Sequence, residues 1–133
     1  MRHMASRNKR PFISLARLKQ SFAYAGAGIK YTWQHEQNFR FHTAAAVIVM
    51  LAAQLLQIPL LEQAVLAAAV GIVLCLELIN TAVEHITDLI IQTYDERAKI
   101  IKDTAAGAVL VFSITSALVG MMIFLPHIAA LFQ

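Results

Sequence analysis

Two stretches of this chain leave little choice of solvent. Residues 41–61 and 104–133 contain no Asp, Glu, Lys or Arg. A helix needs about 20 apolar residues to cross a hydrocarbon layer about 30 Å thick, and each run is long enough to do so. A third apolar run begins near Leu61 and continues to about Thr93, longer than the bilayer requires. Composition agrees. Apolar residues make up 59% of the chain and charged residues 14%, against about 45–50% and 25% in soluble domains. The fold class expected is an all-α membrane protein with three transmembrane helices.

The cations set the orientation. Of the 11 Lys and Arg residues, eight precede residue 41, and the other three are Arg97, Lys99 and Lys102. Basic clusters beside apolar spans mark cytoplasmic loops near anionic headgroups. The net charge of +3 therefore points to a membrane surface, and no nucleic-acid partner is expected. This predicts a multi-pass protein of the cell membrane with its N-terminus cytoplasmic. The first 40 residues lack the apolar core and cleavage site of a secretory leader. Cys75, the single cysteine, lies in an apolar run and reads as a small buried hydrophobe.

The expected organisation is a basic mobile tail over 1–11 and one membrane domain over 12–133. Phe12, Leu15, Leu18 and Phe22 share one helical face, opposite Ser14, Arg17 and Ser21. That pattern predicts an amphipathic surface helix over about 12–30. Ala25-Gly26-Ala27-Gly28 then permits a turn or a close backbone approach. The spans are expected at about 36–58, 61–93 and 103–126, with Pro126 ending the last. Gln54 and Gln57 are expected to face other helices, and Ala67, Ala68, Ala69 and Gly71 to form a small-residue packing patch.

Chemistry concentrates at the end of the second span. On a helix at about 100° per residue, Glu77, Asn80, Thr81, Glu84 and Asp88 share one strip about 100° wide. Carboxylates at i and i+4 repel by about 0.2–0.5 kcal/mol when exposed, and by more where water is scarce. A divalent cation there relieves that repulsion. Charged groups at membrane depth cost at least about 2.5–3.5 kcal/mol each and mark function. Glu77, preceded by a charge-free run over 63–76, is the deepest and suits a general base. Glu36 and Glu84 are candidates for Mg²⁺, a hard cation satisfied by carboxylates and phosphate oxygens. Lys102, Arg17 and Lys19 are available for phosphates. The plainer alternative is pairing within the bundle, of Glu84 or Asp88 with Lys102. His35, His42 and His85 read as interfacial polar residues, and no P-loop is present.

Residue by residue, this stretch resembles the signature of the small prokaryotic diacylglycerol kinase family, Glu-x-x-Asn-Ser/Thr-Ala-x-Glu-x-x-x-Asp. It stands here as Glu77, Asn80, Thr81, Ala82, Glu84 and Asp88, with Lys102-Asp103 downstream and Glu36, Phe39-Arg40 and Arg17 upstream. The run from Lys102 to Val109 is similar to the Gram-positive branch of undecaprenol kinases. The resemblance implies a homotrimer that phosphorylates a lipid hydroxyl with MgATP. Glu77 would be the base, and Glu36 and Glu84 the Mg²⁺ ligands. Arg17, Tyr24, Glu36, Asn80, Glu84, Asp88, Lys102 and Asp103 would surround ATP. Arg17, Trp33, Arg40 and Glu77 would meet the lipid. Two departures stand out: Asp95 where other members carry His, and His42 where Gram-negative members carry an acid. The acceptor implied is undecaprenol, with diacylglycerol as the rival. Two readings from other classes are a small oligomeric cation or proton pathway and a soluble all-α nucleotide pyrophosphohydrolase.

Overall fold

A computed structural model describes residues 14–133, so the basic tail and Phe12 lie outside the described residues. Four helices follow in order: α1 (Leu15–His35), α2 (Gln37–Leu55), α3 (Leu60–Ile90) and α4 (Glu96–Ala130). The last three are each long and apolar enough to cross a membrane, which rules against the soluble pyrophosphohydrolase reading. At about 1.5 Å per residue, α2 spans about 28 Å and matches the hydrocarbon layer, whereas α3 and α4 overrun it. Helix α3 is the hub, packed against both α2 and α4, with α1 touching α2 and α3 lightly.

Several boundaries differ from expectation, each for a local reason. Helix α1 does not turn at Gly26–Gly28 but continues to His35. A Cβ at either glycine would meet nothing within 4 Å, so neither serves a close approach within the protomer. Glu36 alone breaks the chain there. Its extended backbone (φ −105°, ψ 113°) both ends α1 and starts α2. Arg40 reaches back with Nη1 to the carbonyls of Trp33 (2.9 Å) and Gln34 (3.2 Å), satisfying acceptors that the end of α1 leaves open.

The hairpin between α2 and α3 is closed tightly. The Ile58 N–H donates to the Ala53 carbonyl (3.0 Å) and the Gln57 N–H to that of Gln54 (3.1 Å). This bond pair is a Schellman motif, and it requires the left-handed backbone of Gln57 (φ 52°). Gln57 therefore shapes the turn, while Gln54 alone makes the cross-helix bond, Nε2 donating to Gln63 Oε1 at 2.8 Å. Ala53, Ile58 and Leu66 form a buried core there, covered by Val49, Met50, Leu56, Ile123 and Phe124.

Helix α4 begins at Glu96, earlier than expected, because Asp95 caps it by accepting from the Arg97 N–H at 2.8 Å. It also passes through Pro126 to Ala130. Proline removes one donor there, and His127 Nδ1 donates to the Ile123 carbonyl at 2.8 Å in the same turn. Cys75 is exposed rather than buried. An apolar side chain on a spanning helix has no need to turn inward, since lipid solvates it as well as protein does. The small-residue patch is likewise open, with nothing within 4 Å of a Cβ at Gly71 among the described residues.

Candidate active site

The regular turn of α3 delivers the strip that the spacing requires. Glu77 is 3% exposed, the most buried charged side chain among the described residues, and Thr81 one turn on is 5% exposed. Thr81 Oγ1 donates back to the Glu77 carbonyl at 3.0 Å. Asn80 Nδ2 donates to Glu84 Oε1 at 3.0 Å and aims that carboxylate. Among the described residues, the Oδ1 of Asn80 is buried with no hydrogen-bond partner.

From α2, His42 places Nε2 3.3 Å from Glu77 Oε1. Glu77 opens onto a cavity of about 240 Å³, lined also by Asn38, His42, Asn80 and Ser113. His42 and Ser113 are shared with a second cavity of about 470 Å³ between α2, α3 and α4, walled by apolar side chains such as Val49, Leu66, Val73 and Phe124. A chamber that mixes these polar groups with Ala106, Val109 and Leu110 therefore adjoins a larger and almost wholly apolar one, an arrangement that fits a molecule with a polar head and a hydrocarbon tail.

The charges of Glu36 and Glu84 both act on Glu77, so the helix break and the strip converge. Glu36 forms no ion pair among the described residues. No group of three or more His, Cys, Asp or Glu converges among them either. Any cation held here would therefore use one or two carboxylates and complete its shell from water and a ligand's oxygens, the habit of Mg²⁺ rather than of a fully protein-caged metal.

Asp88 and Lys102 meet across α3 and α4, Nζ donating at 2.8 and 3.1 Å to the two carboxylate oxygens. This is the within-bundle pairing that the sequence allows, and Glu84 adds its charge to Lys102. Asp103 pairs with Lys99 one turn away on α4. Asp95, in the connection between α3 and α4, has its carboxyl held below the usual range by hydrogen bonds from the Arg97 side chain and backbone. Arg17, Tyr24 and Trp33 stand on the exposed surface of α1, with Tyr24 Oη accepting from Gln20 Nε2 at 2.7 Å. They are not gathered around Glu77 within the protomer, and Arg40 is engaged at the end of α1.

Sequence reasoning missed three residues of the chamber. His42 read as interfacial, and Asn38 and Ser113 were not considered. The signals existed. Asn38 and His42 lie four apart on α2, hence on one face. Ser113 and Ser116 are polar residues inside a spanning helix, where such groups turn toward protein.

Comparison with known proteins gives the family. The profile of the prokaryotic diacylglycerol kinase family matches residues 23–124. The chain is 43% identical over 114 residues to the undecaprenol kinase of Bacillus subtilis, covering 86% of this chain and 93% of that one. It is 46% identical over 112 residues to a diacylglycerol kinase of Synechocystis sp., covering 84% of this chain and 64% of that protein. With the diacylglycerol kinase of Escherichia coli it shares 25% identity over 111 residues. Three spanning helices, a buried glutamate on the central one and a profile match across most of the chain converge on one assignment: the chain belongs to the prokaryotic diacylglycerol kinase family.

Proposed function

We propose that this lipid kinase transfers the γ-phosphoryl group of ATP to the hydroxyl of undecaprenol, giving undecaprenyl phosphate. The observation that carries this reading is the buried carboxylate of Glu77 on the wall of a chamber that adjoins a larger apolar cavity. The hydroxyl enters the chamber and the chain occupies the cavity. The choice of acceptor is supported by the Bacillus subtilis undecaprenol kinase, which matches over nearly its full length.

In the reaction, Glu77 accepts the hydroxyl proton as the acceptor oxygen bonds to the γ-phosphorus. The bond from that phosphorus to the β,γ-bridging oxygen breaks, and its electron pair leaves with ADP. Phosphoryl transfer asks the protein mainly for positioning and neutralisation of spread charge. Glu36 and Glu84 fit Mg²⁺, which when bound offsets the charge on the β- and γ-phosphate oxygens. Asn80 supports Glu84 in that role. Lys102, with Asp88 and Asp103, stands beyond Glu84 toward the α4 start, placed for the nucleotide; Arg17 and Tyr24 complete the ATP side from α1. Trp33 and Arg40 stand toward the lipid. The active site and N-terminus are cytoplasmic, and the protein works as a homotrimer whose further copies cover the open face around Gly71.

The test is phosphate transfer by detergent-purified protein from labelled ATP with Mg²⁺, offering undecaprenol and diacylglycerol in parallel and Glu77→Gln as control. Label in undecaprenol far above diacylglycerol, absent from the variant, is the expected result. Preference for diacylglycerol overturns the acceptor and keeps the enzyme. Cation flux without transfer to either lipid overturns both and leaves the ion-pathway reading.

A further inference from the structure

We propose that His42 is a positioning residue for Glu77, holding one carboxylate oxygen so that the other meets the acceptor hydroxyl. The inference rests on the kinase reading above for its consequence, but on geometry for its contact. His42 Nε2 lies 3.3 Å from Glu77 Oε1, with the two side chains 24% and 4% exposed. The two atoms are in ion-pair range without the alignment of a hydrogen bond, as catalytic contacts often are before substrate closes the site.

Charge balance makes this contact consequential. Glu77 is buried and also feels the negative charges of Glu36 and Glu84. The Lys and Arg side chains of α2 and α4 are engaged elsewhere. Lys102 pairs with Asp88, Lys99 with Asp103 and Arg97 with Asp95, while Arg40 donates to the carbonyls of Trp33 and Gln34. Among the described residues, His42 is the basic group paired with Glu77. A small rotation of the ring brings its N–H onto that oxygen, and a hydrogen bond there fixes the plane of the carboxylate.

The ring is also placed to act on the acceptor's path. His42 lines both the polar chamber and the apolar cavity, so it stands where head and chain would part. The edge of Phe41 approaches the ring, centroids 5.9 Å apart. Because the effect passes through Glu77, losing His42 lowers turnover and leaves nucleotide binding alone.

The experiment uses the full chain in detergent, assayed with undecaprenol and MgATP. His42→Ala is expected to lower kcat about 10²-fold, the scale for misplacing a reacting group by about 1 Å, while KM for MgATP stays within about twofold. His42→Gln, whose amide N–H can still donate, recovers most of that loss. In the Glu77→Asp background, His42→Ala costs less than in wild type, the mark of two residues acting as one unit. The contact is read independently of activity by ¹⁵N-histidine NMR: Glu77→Gln shifts the His42 ring signals and leaves those of His127 in place. A His42→Ala kcat within about twofold of wild type overturns the proposal. So does a loss that His42→Gln fails to recover, or a His42 signal indifferent to Glu77→Gln. If the wild type itself transfers no phosphate to a lipid, the kinase reading fails, and the NMR result still decides the contact.

Discussion

The two ends of the helical bundle are built on opposite principles. At the hairpin end, Ala53, Ile58 and Leu66 pack into a closed core beneath a turn whose backbone groups are satisfied. At the carboxylate end, Glu77 is buried beside an open chamber, Asn80 Oδ1 has no partner, and three acidic groups repel one another. The hairpin end is not free of such features: Gln57 takes a positive φ, and Glu62 Oε2 is buried with no hydrogen-bond partner among the described residues. The difference lies in what surrounds them, because the hairpin core is packed, whereas the orphaned oxygens of Asn80 and Ser113 belong to residues that line a cavity a ligand can enter.

The contrast can be broken most sharply at Glu77. Glu77→Gln is expected to lower phosphate transfer by about 10²–10⁴-fold, the worth of a general base, while the melting temperature stays level or rises. A variant that loses both activity and stability would make Glu77 part of the scaffold. Ile58→Ala, in the hairpin core and away from both cavities, should do the reverse, lowering stability by about 2–5 kcal/mol with turnover preserved below the transition; thermal unfolding in detergent alongside the kinase assay reads both. Lys102→Ala comes next. Losing a charge-assisted bond to the nucleotide should raise KM for MgATP about tenfold or more. Its effect on stability should be small, since the pair with Asp88 is largely exposed.

Asp95 carries the smallest effect and tests the connection between α3 and α4. Its carboxyl is held below the ordinary range by Arg97, so its contribution is complete above the unfolded-state pKa of aspartate and is lost as pH falls through the lower folded value. Protection of the amides of residues 97–99, taken as the exchange rate relative to the intrinsic rate at each pH, should fall on acidification through that window, and Asp95→Ala should show the lowered protection at every pH. Protection that stays level with pH would leave the cap without a role.

Some features were legible because they depend on local period and length. Charge-free runs longer than a bilayer dictate spanning helices, and the recurrence of Glu77, Asn80, Glu84 and Asp88 dictates a shared face. Others were misread because their outcome depends on neighbours. Gly26 and Gly28 carry a turn signal, yet the helix runs through them. Pro126 carries a stop signal, yet α4 continues, with the His127 ring bonded to the Ile123 carbonyl in the turn that holds the proline. Cys75 was expected inside by the rule for soluble cores, which lipid reverses.

The sequence by itself determined the solvent, the count of spanning helices and the strip of acids on α3, since burial in hydrocarbon and helical period act on consecutive residues. Only the tertiary structure decided which side chains face that strip. His42 on α2 and Ser113 on α4 are distant in the chain from Glu77, and nothing in their local sequence says which helix they meet. The choice between Asp88 and Glu84 as partner of Lys102 was likewise settled by how α3 and α4 pack. Pairing across helices depends on rotation and register, which are properties of the bundle and of no single segment.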